Sequence, residues 1–177
     1  MSLYQKIAAI GSKYISKSKL FKYGFNWSPM YRRSTAKIIE VSEDLMKVCI
    51  KLPISYKNRN YVGSIFGGSL FSSVDPIPMV QLINILGDDY VVWDKSAEVF
   101  FKRPARENLY AEFTCTVEEI ESIKVRVAQE QEIEIIKTTF LTNRVGDKVF
   151  CEVRKNIYIA EKAFYKQKRA KAKQKGK

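Results

Sequence analysis

The sequence predicts an α+β fold in which an antiparallel β-sheet wraps around one long central helix. Segments in which apolar and polar residues alternate recur along the chain, as expected of half-buried strands. The connections in the second half have hairpin lengths, which favours an antiparallel sheet. The long apolar segment at residues 68–87 is then the only long helix available to cover the sheet.

The length and composition fit a single domain of ordinary size. The chain has 177 residues, of which 46% are apolar, enough to form a core. We divide it into an N-terminal helix with an aromatic lead-in (residues 1–35), a body (36–161) and a basic tail (162–177) that is expected to be disordered. The N-terminus lacks the compact apolar region of a secretory signal, so we expect a cytoplasmic location.

The formal charge of +12 belongs to the two ends of the chain. Residues 1–35 carry seven Lys or Arg and residues 162–177 carry eight, with no acid in either segment. The body carries sixteen Lys or Arg and nineteen Asp or Glu, so it is slightly acidic. The basic ends could contact nucleic acid or an anionic membrane, or could simply be solvated, and the pattern favours solvated ends.

Cysteine and histidine usage argues against a metal site. Cys49, Cys115 and Cys151 lie far apart in alternating apolar patterns, which predicts buried thiols in a reducing compartment. The chain has no histidine and no CxxC pair, so a zinc site would need carboxylates and dispersed thiols. We therefore expect no metal.

Apolar periodicity predicts the elements in order. An amphipathic helix is predicted within residues 2–23, and the aromatic segment 24–33 is expected to lie over an apolar groove. Residues 118–129 fit either a short helix or a wide turn. Strands are predicted at residues 36–41, 45–52, 90–103, 109–117, 132–143 and 149–160.

Asp75 is an ionisable residue in the middle of the central apolar segment. A carboxylate in such surroundings must be satisfied locally or take part in chemistry, because burying it unpaired is costly. Since Pro76 follows it, one interpretation is that Asp75 caps a second half-helix that begins at Pro76. The other interpretation is that Asp75 contacts or activates a substrate.

The segment Asn60 to Gly68, NYVGSIFGG, resembles the loop-to-helix motif Asn-His-x-Gly-Thr-x-His-Gly-Gly of hotdog-fold thioesterases. In the phenylacetate-pathway type, a carboxylate lies seven residues beyond the second glycine, which is the position of Asp75 here. The segment 91–106, VVWDKSAEVFFKRPAR, resembles more narrowly an uncharacterised hotdog family described as tetrameric acyl-CoA thioesterase-like. The likeness covers residues 25–160 and excludes the basic tail.

The resemblance implies a hotdog fold and the hydrolysis of an acyl-CoA thioester, with CoA as part of the substrate and no separate cofactor. The backbone N–H groups of Gly67 and Gly68 at the helix start would stabilise the developing oxyanion. Asp75 would activate water or attack directly, reaching across a subunit interface. Asn60 would orient the water or the carbonyl group.

Two positions depart from the motif of the family. The histidine before Gly-Gly is Phe66 here, and the histidine after the asparagine is Tyr61, so the roles of those side chains are lost or changed. Phe66 remains a candidate for substrate contact. The missing histidines and the proline beside Asp75 motivate an alternative function, that of a non-catalytic acyl-CoA or lipid-binding hotdog protein.

Further candidates for substrate contact lie near the motif. Ser69 and Ser72 could line the site, or could be small packing residues on the helix. Arg103 and Arg106 flank the end of a strand and could bind the phosphates of CoA, or could be solvated.

Two features of the predicted sheet point to ion pairs and to assembly. Asp94 and Lys95 fall in the middle of a strand, where a cross-strand or interface ion pair is expected. A homodimer or a tetramer is expected because the sheet would have an unpaired edge.

Overall fold

Six strands form one antiparallel sheet in the computed structural model, which describes residues 15–175, and their order is β1-β2-β4-β5-β6-β3. The strands are β1 (Lys37–Val41), β2 (Lys47–Leu52), β3 (Tyr90–Phe101), β4 (Leu109–Thr114), β5 (Glu132–Thr142) and β6 (Val149–Glu161). The helices are α1 (Lys17–Trp27), α2 (Pro29–Arg32), α3 (Gly67–Val74), α4 (Pro76–Leu86), α5 (Val117–Glu130) and α6 (Lys162–Lys175).

The predicted alternation places one row of side chains from β2 and β4 in the core. Val48 pairs with Phe113 and Ile50 pairs with Ala111, and all four side chains are buried. The intervening side chains on both strands are half-buried or exposed. These strands are therefore covered on one face and solvated on the other, as their period of two predicts.

Helices α3 and α4 together form the predicted central helix across the inner face of the sheet. Their inward positions are occupied by small and apolar side chains, including the buried Leu70, Val74, Ile77 and Leu82. By length and composition the stretch Gly67–Leu86 could also cross a membrane, but half of it is buried in the protein. This burial against the sheet is typical of a core helix.

The boundary between α3 and α4 lies at the Asp75-Pro76 pair. Pro76 and Pro78 have no N–H, so the carbonyl groups four residues before them lose their helical donors. Asp75 itself keeps helical dihedral angles, φ −50° and ψ −53°. The chain direction consequently continues through the boundary.

The segment 118–129, which fitted either a helix or a turn, is the helix α5. The Thr116 side chain accepts a hydrogen bond from the Glu119 N–H at 3.1 Å and caps the helix start. Ile120, Ile123 and Val127 are buried against the inner face beside α4. Helix α5 therefore shares the covering of the sheet with the central helix.

The N-terminal region is helical, with bounds that differ from the prediction. Helix α1 runs to Trp27, past the predicted end at residue 23, and residues 2–14 of the predicted helix lie outside the described range. In the aromatic segment, Tyr31 is fully buried, and its hydroxyl group donates to the carbonyl oxygen of Ser73 at 3.0 Å. Trp27 and Met30 are exposed, so the segment covers the core only in part.

The prediction of a disordered basic tail is wrong for residues 162–175, which form α6. Its Lys, Gln and Ala residues are good helix formers. The Tyr165 ring lies near the Tyr158 ring, with 6.1 Å between the centroids and 54° between the ring planes, and Lys168 Nζ lies 2.6 Å from a carboxylate oxygen of Glu132. These contacts hold α6 against the end of the sheet. Contact of the basic ends with nucleic acid or an anionic membrane stays a prediction.

The three cysteines are free thiols. Cys115 and Cys151 are buried as predicted, whereas Cys49 is half-buried and lies 3.6 Å from a carboxylate oxygen of Glu112. Burial raises the pKa of both Cys49 and Cys151 to about 11. Neither thiol is therefore activated as a nucleophile at neutral pH.

Candidate active site

The loop that leads into α3 is held by the side chain of Asn60. The Asn60 Oδ1 atom accepts hydrogen bonds from the N–H groups of Val62 and Ser64, at 3.1 and 3.0 Å. Its Nδ2 atom donates to Ser64 Oγ at 2.9 Å. The amide of Asn60 is thus used within the loop, and its predicted role in orienting water or a carbonyl group stays a prediction.

Asn58 fixes the start of α3, although no motif in the sequence marks this residue. Its buried Nδ2 atom donates to Thr35 Oγ1 at 2.7 Å and to the Pro53 carbonyl oxygen at 2.9 Å. The backbone carbonyl oxygen of Asn58 accepts a hydrogen bond from the N–H of Phe66 at 2.7 Å. The partner Thr35 lies 23 residues away, so local sequence carries no signal for this contact.

Gly67 and Gly68 form the N-terminus of α3. The Phe66 carbonyl oxygen accepts the N–H groups of Ser69 and Leu70, whereas those of Gly67 and Gly68 donate to no residue between 15 and 175. Two free N–H groups at the positive end of a helix dipole can bind an anionic oxygen. The predicted oxyanion donors therefore lie at a helix start, and their role in binding an oxyanion stays a prediction.

Two exposed aromatic rings flank these glycines. A Cβ atom at Gly68 would overlap the Phe66 ring, and a Cβ atom at Gly67 would lie 3.0 Å from Phe101 Cζ. Phe66 and Phe101 are 58% and 60% exposed, respectively. The helix N-terminus is consequently framed by apolar surface that is open to a ligand.

The interpretation of Asp75 as a helix cap is wrong. Asp75 has helical dihedral angles, and its side chain makes no capping hydrogen bond. Its Oδ1 atom instead accepts a hydrogen bond from Lys155 Nζ at 2.7 Å, while the side chain remains 42% exposed. The acid of the central helix is therefore satisfied by an ion pair and still reaches solvent.

Lys155 lies on the inner face of β6 and is 2% exposed. Its Nζ atom donates to Asp75 Oδ1 at 2.7 Å, to the Asp75 carbonyl oxygen at 2.6 Å and to Asp94 Oδ2 at 2.6 Å. An ammonium group has three N–H donors, so all three are used. We call these residues the Asp75-Lys155-Asp94 cluster.

Asp94 joins the cluster from a β-bulge in β3. The register shifts between Asp94 and Ser96, so Lys95 is the extra residue of the bulge. The ion pairs predicted for this segment are confirmed, since Asp94 binds Lys155 and Lys95 binds Glu134. Burial raises the pKa of Asp94, and Lys155 acts in the opposite direction.

Helix geometry places Gly68 and Asp75 on the same side of the central helix. Seven residues separate Gly68 from Asp75, which places them about 10 Å apart along the axis after two turns. The N–H groups at a helix start point away from the body of the helix. A carbonyl group bound to them would therefore lie about 10 Å or more from Asp75 of the same chain, too far for direct attack or for one bridging water molecule. A second copy of the chain would be needed to bring the two groups together.

The other residues predicted to contact the substrate differ in their exposure to solvent. Ser69 is buried and Ser72 is exposed. Arg103 and Arg106 are both exposed, and the guanidinium group of Arg103 lies 5.9 Å from the centre of the Phe150 ring. The segment that carries these arginines is joined to the loop before α3, because the Ala105 carbonyl oxygen accepts the Ile65 N–H at 2.8 Å.

No group of three or more Cys, Asp or Glu side chains in the described part of the chain is arranged to hold a metal ion. The two neighbouring carboxylates, Asp75 and Asp94, are instead bound to the ammonium group of Lys155.

Residues 17–158 match a family model described as "Domain of unknown function (DUF4442)", which covers most of the chain. The chain belongs to this family. No curated protein matches this chain.

Solved structures show the fold of this DUF4442 protein. A Pseudomonas aeruginosa protein of unknown function, described as a "Probable Thioesterase", matches with a TM-score of 0.71 and 20% identity over 81% of this chain and 95% of its own. A thioesterase from Haemophilus influenzae matches with a TM-score of 0.60 and 12% identity over 84% and 94%. A mutant thioesterase from Staphylococcus aureus matches with a TM-score of 0.54 and 12% identity over 75% and 99%. The DUF4442 protein thus has the hotdog fold that the resemblance implied.

Proposed function

We propose that this DUF4442 protein is a thioesterase that hydrolyses a fatty acyl or aryl thioester of CoA. One observation carries the proposal. The Asp75 carboxylate, half-exposed and held through one oxygen by the buried Lys155, lies on the helix whose glycine N-terminus presents two free N–H groups. A base and an oxyanion site are the two components that thioester hydrolysis requires.

The reaction uses Asp75 in one of two ways. In the first, Asp75 Oδ2 takes a proton from water, and the water oxygen attacks the thioester carbonyl carbon. The negative charge that develops on the carbonyl oxygen is stabilised by the N–H groups of Gly67 and Gly68. The C–S bond then breaks, and the CoA thiolate leaves and takes up the proton. In the second, the carboxylate attacks directly, and water hydrolyses the resulting mixed anhydride.

A second copy of the chain completes the proposed site. The separation of about 10 Å along one helix means that the base of one subunit would work with the glycines of its partner. The open edge of β3 supports such assembly, because β3 ends the sheet and has no further strand beside it among residues 15–175. The assembly would be a homodimer or a tetramer built from dimers.

The surroundings of the glycines suit an acyl-CoA substrate. Phe66 and Phe101 offer exposed apolar rings beside the helix start, as an acyl chain or an aryl group requires. Arg103 and Arg106 are exposed nearby along the chain and could bind the phosphates of CoA. The cytoplasmic location expected from the sequence stays a prediction.

The solved structures add support of a coarser kind. The Pseudomonas aeruginosa protein is described as a probable thioesterase, and the proteins from Haemophilus influenzae and Staphylococcus aureus are named thioesterases. At 12–20% identity these proteins share the fold with this chain. The acyl group and the mechanism are proposed from the residues of the site.

A second candidate function is binding of an acyl-CoA or a lipid without hydrolysis. Phe66 favours it, because an aromatic ring lies against Gly68 where the motif of hotdog thioesterases has a histidine. A binding protein would need the apolar frame and the helix N-terminus but would not need Asp75 as a base.

Thiol release across a panel of acyl-CoA and aryl-CoA esters, measured beside calorimetric binding of the same esters, separates the two functions. We expect saturable release of CoA thiol for at least one ester. Tight binding with release no faster than the spontaneous rate would establish the binding protein and remove the thioesterase. Absence of both binding and release would remove both.

A single turnover in ¹⁸O-water separates the two uses of Asp75. Attack by water puts the ¹⁸O label into the product acid in the first turnover. Direct attack by the carboxylate, followed by hydrolysis of the anhydride at the Asp75 carbonyl carbon, puts the label into the Asp75 side chain in that turnover. Label found in Asp75 therefore establishes direct attack.

A further inference from the structure

Lys155 joins two carboxylates that come from different elements. Asp75 belongs to the central helix, Asp94 belongs to β3, and Lys155 lies on β6 between them. Because all three N–H groups of the ammonium are used, the ammonium fixes both the side chain and the backbone of Asp75. One carboxylate oxygen of Asp75 is occupied in this arrangement, and the other is left available.

The cluster contains one more acid than base. Nearby charges do not offset this difference. Lys137 lies opposite Lys155 in the register of β5 and β6. Its Nζ atom, however, binds both carboxylate oxygens of Glu119, at 2.8 and 2.9 Å. Helices α3 and α4 carry no charged residue other than Asp75. The cluster therefore carries a net charge of −1 when its three side chains are ionised.

Burying Asp94 as a second partner of Lys155 has a free-energy cost. Its Oδ2 atom binds Lys155, but its Oδ1 atom is buried and has no partner in the described residues. A buried lysine needs one counter-charge for stability, and Asp75 already supplies it. A second, incompletely hydrogen-bonded acid would be unfavourable if the cluster served only packing.

We propose that Lys155 and Asp94 are positioning residues for Asp75. Lys155 holds Oδ1 so that Oδ2 faces the reacting water, and Asp94 offsets the positive charge of Lys155 so that Asp75 stays basic. The catalytic part of this inference rests on the proposed thioesterase function. Without Asp94 the full charge of Lys155 acts on Asp75, favours its ionised form and makes it a weaker base.

The Asp94→Asn substitution tests the charge, because the amide oxygen can still accept a hydrogen bond from Lys155. We expect the acidic limb of the pH profile of kcat/KM to move to lower pH, because the charge of Lys155 is no longer offset. We expect kcat to fall about tenfold at neutral pH while KM changes little. The matched control is Lys95→Met, which removes the adjacent exposed ion pair with Glu134 and leaves the profile unchanged.

Substitutions at Lys155 test the positioning. Lys155→Met removes the donors that orient Asp75 and should lower kcat by about 100-fold, as misplaced catalytic groups do. Lys155→Arg retains donors for both carboxylates and should recover part of this loss. Because Lys155 is buried, thermal unfolding of each variant shows whether it is folded at the assay temperature.

A titration followed by NMR gives a readout that does not depend on turnover. The ¹³C carboxyl resonance of Asp75 is followed with pH in the wild type and in Asp94→Asn, and its midpoint should lie lower in the variant. Equal midpoints in the two proteins, or an Asp94→Asn enzyme with wild-type kcat and pH profile, overturn the inference. Failure of the wild type to hydrolyse any thioester refutes the thioesterase proposal separately, and the NMR midpoints still decide whether Asp94 acts on Asp75.

Discussion

At the start of α3, the absence of a side chain at residue 68 leaves room for the Phe66 ring. A Cβ atom at residue 68 would overlap Phe66 Cε1, so a larger residue requires this ring to move. Because Gly68 has no side chain, its backbone N–H also remains accessible to a ligand oxygen. One residue thus serves both the packing and the proposed chemistry.

Gly68→Ala should destabilise the fold by about 1 kcal/mol, at the low end of the cost of overpacking because the exposed Phe66 ring can shift, and should reduce thioester turnover. The double variant Gly68→Ala, Phe66→Ala should recover most of the stability because the overlapping ring is gone. Urea unfolding measures both effects. The control is Gly24→Ala in α1, where a Cβ atom meets nothing within 4 Å and no loss of stability is expected. A single variant as stable as the wild type would contradict the contact.

The ion pair of Asp75 could not be predicted from local sequence, because its partner Lys155 lies 80 residues away. A weaker signal was present in β6. Val153 and Ile157 occupy inward positions of that strand, and Lys155 falls between them in the same alternation. A charged residue in an inward row requires a buried partner, and Asp75 was the unpaired acid of the central segment.

At the scale of elements, the pattern in the sequence predicted the strands and the covering helix. The period of two in β2 and β4 specifies which side chains face the core, and the structure confirms it. The capping interpretation failed because the helix continues with helical dihedral angles through Asp75. The tail was assigned as disordered on composition, yet the same residues have high helix propensity and find contacts on the sheet.

Helix α2 is joined to α3 through the buried hydroxyl group of Tyr31, which donates to the Ser73 carbonyl oxygen. Burial raises the pKa of Tyr31 well above its ordinary value of 10.0. Below that value the hydroxyl is protonated in both the folded and the unfolded chain. At higher pH only the unfolded chain ionises, so the contribution of Tyr31 to stability is lost as pH rises.

Tyr31→Phe should cost about 1 kcal/mol at neutral pH, the net value of one buried hydrogen bond. It should also lose less stability than the wild type between about pH 8 and about pH 11, because it has no buried hydroxyl to ionise. Urea unfolding at the two pH values measures both effects. Tyr56→Phe is the control, since Tyr56 is 86% exposed and should behave as the wild type. Equal alkaline losses in wild type and Tyr31→Phe would contradict this account.

At the scale of the whole molecule, the proposed site needs two chains. The separation of Gly68 and Asp75 along one helix and the open edge of β3 lead to the same expectation. Three apolar side chains are also exposed on the outer face of the sheet, which could support a further contact in a tetramer: Trp93, Ile136 and Phe140.

Mixing two inactive variants tests whether the site is shared between subunits. Asp75→Asn and Gly68→Val each damage one half of every site, so each homodimer should be inactive. In a mixed dimer one site carries both changes and the other carries neither. After unfolding and refolding together, about a quarter of wild-type activity should return, as random pairing in a twofold assembly predicts. No recovery, despite mixed dimers seen by mass spectrometry, would place each site within one chain.

The measurement that tests the central claim most directly is kcat for the preferred acyl-CoA in the wild type and in Asp75→Asn. The variant keeps the size of the side chain and an oxygen for Lys155 but removes the base. We predict that kcat falls by at least about 100-fold, the typical contribution of a general base, while the control Asp88→Asn, at an exposed carboxylate just after α4, keeps wild-type kcat. An Asp75→Asn enzyme that is folded and turns over at the wild-type rate would contradict the account.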